Sequence, residues 1–234
     1  MTGRLWKAAF VSSLPVLMGY TTMGMAAGIL LARNGGISHA PAWAFLTSLT
    51  SISGALQFIL VEWARNRTAF LTVALLTFCL NIRYAMYGLS LLERFHGIGI
   101  WRKLYLIWTL TDETYALEVE NKHPDGESSL SYCLLVAALD HLYWVAGVFA
   151  GALIGAALPF QTKGIDFAMT ALFLVILTDQ VREKTNRRPA LVGGLAAFAM
   201  LLLFGPGNML IPAIGLLLAV FLVFRRRWDT EAAK

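Results

Sequence analysis

Residues 71–92 read LTVALLTFCLNIRYAMYGLSLL, an apolar run long enough to cross a bilayer, with Asn81 and Arg83 set inside it. An arginine near the middle of a membrane span costs at least about 2.5 kcal/mol on insertion, so it persists only where it faces protein, water or a bound anion. Arg83 is therefore the first candidate for function. Asn81 lies two positions earlier, about 200° away around an unbroken helix. The two side chains share one narrow site only if the helix unwinds there, and otherwise protein must cover both of its sides. The structural alternative is an arginine that merely ties helices together.

Of the 234 residues, 58% are hydrophobic and 14% charged, against roughly 25% charged in soluble domains. The apolar residues come in blocks of about 20 joined by short charged links. This predicts an all-α integral membrane protein, a polytopic bundle of about eight spans forming a single domain over 1–234, with one or more spans broken or re-entrant. The net charge of +5 sits in links beside apolar spans, which excludes a nucleic-acid stripe and reads as a topology signal. Cys79 and Cys133 fall inside apolar runs without metal-type spacing, so no disulfide, metal site or cofactor is expected.

Span one, about Phe10 to Ala32, carries Pro15, Gly19, Gly24 and Gly28. It reads either as close packing through the Gly24-Met-Ala-Ala-Gly28 step or as a discontinuous helix. Span two, about Pro41 to Glu62, is rich in small hydroxyls from Thr47 to Ser53 and carries Gln57 after Gly54 and Ala55. Small residues there let a backbone or ligand come close. Span four has a short apolar part, Leu104 to Leu110, followed by Thr111-Asp112-Glu113-Thr114. Adjacent carboxyl groups at membrane depth are rare. The bland alternative is a helix end surfacing among headgroups, with Glu118 and Glu120 continuing into water.

Block five, Leu130 to Leu158, exceeds what a hydrocarbon core of about 30 Å requires, and so must tilt, kink or break. Gly147, Gly151 and Gly155 repeat along one face of it, while Asp140 and His141 lie near its centre. Spans six to eight follow at about 163–181, 189–204 and 208–224, the last two joined by Gly205-Pro206-Gly207. With the amino terminus inside, 13 of the 19 lysines and arginines fall in cytoplasmic segments and five outside, which favours both termini in the cytoplasm. Depth arithmetic separates Arg83 from Asp112 by about 12 Å unless span four shifts or breaks, and leaves Asp140 nearer to the arginine as a charge partner.

Ser53-Gly54-Ala55-Leu56-Gln57-Phe58, the run from Asn81-Ile82-Arg83 through Tyr87-Gly88 to Ser90, Thr111-Asp112-Glu113 and Gly164-Ile165-Asp166-Phe167-Ala168 together resemble the AzlC-type branched-chain amino-acid permease family, the large subunit of the LIV-E exporters. The resemblance runs from residue 10 to about 180, with Tyr84 standing where the family has a histidine. It implies export of branched-chain and similar hydrophobic amino acids across a bacterial inner membrane, beside a separately encoded small membrane subunit of the AzlD type. An amino-acid zwitterion needs donors for its carboxylate, acceptors for its ammonium and an apolar pocket for its side chain. Gln57, Asn81, Arg83, Tyr84, Asp112 and Glu113 are the expected polar part of the pathway. The rival classes are an intramembrane hydrolase pairing Asp112 with Asp140 or Asp179, and a channel. The chain has no G-x-S-x-G or H-E-x-x-H motif to support a hydrolase.

Overall fold

The computed structural model describes residues 2–34, 36–66, 69–157, 174, 177–178, 181–182, 187–209, 212–213, 215–217 and 219–220. The described residues are all-helical and contain no strand. Spans six and eight, the Asp166 segment and Asp179 lie mostly or wholly outside them. The chain divides into two compact units, Met1–Ala168 and Met169–Lys234. Unit one contains α1 (Gly3–Asn34), α2 (Ala40–Thr50), α3 (Gly54–Asn66), α4 (Phe70–Ser90), α5 (Ile100–Trp108), α6 (Asp112–Glu120) and α7 (Ser129–Ala157). In unit two, α8 (Arg187–Asn208) bends at Gly205, whose backbone leaves the helical region at φ 70° and ψ 171°. Four of these helices, α1, α4, α7 and α8, are long and apolar enough to cross a membrane. On α4, Leu71, Leu75, Phe78, Ile82, Met86 and Leu89 are exposed. Their three- and four-residue spacing makes one continuous lipid-type stripe.

The long block five is one unbroken helix, α7, and it is buried along most of its length. It packs on α1 through glycine. A Cβ at Gly28 would overlap the Val148 carbonyl oxygen, and one at Gly151 would overlap the Met25 carbonyl oxygen. A Cβ at Gly147 would lie 2.9 Å from the Tyr20 carbonyl oxygen, and one at Gly24 3.0 Å from the Val148 nitrogen. Contacts thus climb together along both helices, from Tyr20 against Gly147 through Met25 against Gly151 to Ile29 against Gly155, so α1 and α7 run parallel. Small residues let the two backbones touch, and dispersion over that contact replaces the hydrophobic drive that lipid does not supply. Of the two readings of span one, packing holds. The helix passes through Pro15 without interruption, and Gly19 is not part of the seam, since its Cβ would meet only the end of Met23 at 4.0 Å.

The stretches expected as spans two and four each form two short helices, α2 with α3 and α5 with α6. In α2 the hydroxyls of Thr47, Ser48 and Thr50 each donate to the carbonyl four residues back at 2.7 Å, which competes with and bends a helix. Ser51 is extended at φ −139° and ψ 101°, and α3 begins only at Gly54. In span four, Thr111 is extended at φ −124°, and its hydroxyl oxygen accepts the Thr114 N–H at 3.1 Å. That is an N-cap, strengthened by Asp112 and Glu113 in the positive first turn of α6. Both cysteines are free, Cys133 buried and Cys79 partly so.

Gly28→Ala and Gly151→Ala each drive a methyl group into facing backbone, an overpacking cost of about 1–3 kcal/mol or more. Both should lower the melting temperature in detergent and the extracted yield, whereas Gly19→Ala should change neither. Equal melting of all three variants and the parent would remove the glycine seam as the packing determinant.

Candidate functional site

The middle of α4 lies between the two broken spans. On one side, Asn81 accepts a hydrogen bond from the Ser53 hydroxyl at 3.1 Å, at the gap between α2 and α3. On the other side, Arg83 Nη1 pairs with Asp112 Oδ2 at 2.8 Å, at the start of α6. The helix stays wound through both residues, so the 200° between them is met by protein on two faces. Tyr87 donates to the second Asp112 oxygen at 2.9 Å, and its ring stacks on Tyr115 with centroids 4.4 Å apart. The Arg83 guanidinium lies 5.0 Å from the ring centre of Tyr84 and donates to its hydroxyl at 3.2 Å. The pair is only partly withdrawn from the surface, with the Arg83 side chain 34% and that of Asp112 42% exposed. An ion pair at that exposure orients groups more than it stabilises the fold.

The expected proximity of Arg83 to Asp140 is corrected by this geometry. Counting helical rise along span four overestimated the depth of Asp112, because the rise stops at the break across Thr109 to Thr111 and α6 starts afresh beside α4. Asp140 instead accepts the Thr114 hydroxyl at 2.8 Å and is 1% exposed. Asp112 and Asp140 therefore face different partners and do not form a dyad. Glu118, which the bland reading carried into water, is fully buried, while Glu120 is exposed.

Beside Asn81 and Tyr84 lies a cavity of about 330 Å³, lined also by Thr50, Ser51, Ile52, Ser53, Leu56, Thr77, Ala85, Ile107 and Trp108. Its volume is at the small end of the ligand-pocket range of about 300–1,000 Å³. The cavity opens between the broken backbone at 51–53 and the last turn of α5. Gln57 is buried behind it and donates to the Thr47 hydroxyl at 2.9 Å, bridging α3 to α2 across the gap. Gly54 begins α3, and a Cβ there would make an ordinary 3.7 Å contact with the Trp144 ring; its place is at the break rather than in a tight seam. Glu113 turns away from this cavity toward α1, where it accepts a hydrogen bond from Tyr20 at 3.0 Å. Tyr20 was not selected from the sequence, because one tyrosine in an apolar helix has no local pattern to mark it. Among the described residues no cluster of three metal-type ligands occurs.

These features lie inside the residues that match a known family. The family model described as AzlC protein matches residues 15–158. A Helicobacter pylori protein named as an uncharacterized membrane protein is 33% identical over 226 residues, covering 97% of each chain. The branched-chain amino acid transport protein AzlC of Bacillus subtilis is 32% identical over 221 residues, 94% of this chain and 85% of that one. The inner membrane protein YgaZ of Escherichia coli is 25% identical over 197 residues, 80% of this chain and 79% of that one. No solved structure matches the chain. With four helices apolar enough to cross a membrane and nearly its whole length inside these matches, the chain is a membrane transport protein and belongs to the AzlC family.

Proposed function

We propose that the protein is the large subunit of a secondary transporter that exports branched-chain or related hydrophobic amino acids across the bacterial inner membrane, together with a small AzlD-type membrane partner. The observation that carries this reading is the cavity bracketed by two helix breaks, with Arg83, paired to Asp112, lying over its Tyr84 wall. Half-helix ends near the middle of a membrane offer free amide donors at one end and free carbonyl acceptors at the other. Here the start of α3 suits a carboxylate and the end of α2 suits an ammonium. Leu56, Ile107 and Trp108 supply apolar wall for an aliphatic side chain. The substrate class is taken from the Bacillus subtilis relative, whose name specifies branched-chain amino acid transport.

Arg83 and Asp112 act in this reading as a switchable pair: the arginine holds either the aspartate or the substrate carboxylate. The eight-span arrangement with both termini cytoplasmic is part of the same proposal. The parallel course of α1 and α7 is consistent with it, because an odd number of crossings must then lie between them, and α2–α3, α4 and α5–α6 would make three. Reporter fusions to the carboxyl terminus should be active only in the cytoplasm, and a periplasmic terminus would sink the even count.

Lysine keeps the charge of Arg83 but loses its two-pronged planar donor geometry. Arg83→Lys should therefore fold and transport poorly, and Arg83→Ala should bind no labelled leucine while melting near the parent temperature, given the exposure of the pair. Wild-type transport by Arg83→Ala in proteoliposomes would discard the role. Direction is read in cells fed a leucine dipeptide: expression should lower internal leucine, and a rise would establish uptake instead.

A further inference from the structure

A line of hydroxyl groups joins an exposed carboxylate to a buried one. Glu113 accepts from the Tyr20 hydroxyl at 3.0 Å, and that hydroxyl lies 2.5 Å from the hydroxyl of Thr111. Thr111 donates to the Thr114 hydroxyl oxygen at 3.1 Å, and Thr114 donates to Asp140 at 2.8 Å. Glu113 is exposed, whereas Tyr20, Thr111, Thr114 and Asp140 are buried. The second oxygen of Asp140 and both oxygens of Glu118 are buried with no hydrogen-bond partner among the described residues. With a single donor at Asp140 and none at the Glu118 oxygens, an ionised carboxylate so placed is far costlier than the neutral acid.

We propose that Glu113, Tyr20, Thr111, Thr114 and Asp140 form a proton relay that couples transport to proton movement. This deepens the transport reading and rests on it. The proton balance is simple. In one state Glu113 carries the proton and donates to Tyr20, which donates to Thr111, which donates to Thr114, which donates to the Asp140 anion. Each hydroxyl then passes its hydrogen on to Asp140's side and takes one from Glu113's side, so that Asp140 becomes the acid and Glu113 the anion. Every donor has reversed and no co-reactant is needed. The titratable and charged groups facing this line are few. Glu118 lies one turn beyond Thr114 on α6, and Arg94, after α4, binds the Glu118 carbonyl oxygen. Cys133 and His141 lie on α7, the latter 3.2 Å from the Tyr105 hydroxyl. Asp112 is already engaged by Arg83 and Tyr87.

The test uses the full chain, co-purified with its small subunit, in proteoliposomes. Two readouts are compared: leucine accumulation driven by a pH gradient, and leucine exchange at equal leucine and equal pH. Tyr20→Phe and Thr114→Val should lose accumulation to the level of empty liposomes while keeping exchange, and Thr114→Ser should restore accumulation. Wild-type accumulation by Tyr20→Phe and Thr114→Val overturns the relay. Loss of both readouts together also overturns it, because it makes these side chains braces of the fold or pathway. A sodium gradient that drives accumulation where a pH gradient does not overturns it as well. A second measurement needs no substrate: infrared difference spectra between acid and alkaline buffer should show a carboxylic-acid carbonyl band that Asp140→Asn lacks. Should the parent move no amino acid at all, the transport reading falls and this band alone decides the relay; its absence overturns the relay.

Discussion

The rest of unit one depends on the backbone contact between α1 and α7. Lipid gives helices no hydrophobic reason to associate, so the energy must come from close packing and internal hydrogen bonds. Gly24 and Gly28 on one helix, with Gly147, Gly151 and Gly155 on the other, bring main chain against main chain over more than two turns. That contact fixes more than distance. Because Gly147 sits against the Tyr20 backbone, the Tyr20 ring is held edge-on to Trp144, with centroids 5.6 Å apart, and its hydroxyl reaches the start of α6. A seam with no functional group of its own therefore aims one that has.

Around this pair, the chain breaks two helical stretches, α2–α3 and α5–α6. In each, threonine or serine hydroxyls turn back onto their own helix before the break, and an extended serine or threonine follows. Continuous helices satisfy every backbone group internally, so a break in a membrane is tolerated only where protein or a wet cavity receives the freed groups. α4 supplies that cover on both sides, with Asn81 toward one gap and Arg83 toward the other. The polar centre of α4 and the two breaks are one construction. The arginine meets its carboxylate because α6 starts there, and the exposed ends of α2, α3 and α6 have polar neighbours because α4 is not wholly apolar.

Much of this was legible in the sequence. Composition gave the membrane class and helical content, four-residue glycine spacing gave the α7 face that packs, and the cost of an intramembrane charge singled out Arg83. Depth counted along one continuous span four placed Asp140 nearer to Arg83 than Asp112, whereas Thr111 ends that continuity by capping a new helix. Helical arithmetic holds only within one helix. The burial of Glu118 was invisible for a related reason: a carboxylate late in a short polar helix reads as water-exposed unless the helix is known to pack on α7. Tyr20 had no local mark, and Tyr87 and Ser53 stood only within quoted motifs, since the partners that define all three lie 25 to 93 positions away. The quoted motifs lie in the stretches read as spans two, three and four, and that of residues 164–168 falls outside the described residues.

The first turn of α6 joins these levels. Successive residues of a helix point about 100° apart, and here three of them reach three different helices: Asp112 to Arg83 on α4, Glu113 to Tyr20 on α1, and Thr114 to Asp140 on α7. Thr111, at the break, caps the same turn and touches Tyr20 as well. The first turn of this short helix is held by one ion pair and a few hydrogen bonds, directly after the extended backbone that separates it from α5. Rotation of α6 by one residue's angle would exchange all three partners at once. Such a turn cannot release Arg83 without also disturbing the hydroxyl line to Asp140. The charge beside the cavity and the buried carboxylate are thus bonded to residues of one helical turn, the kind of contiguous contact through which coupling between two sites travels.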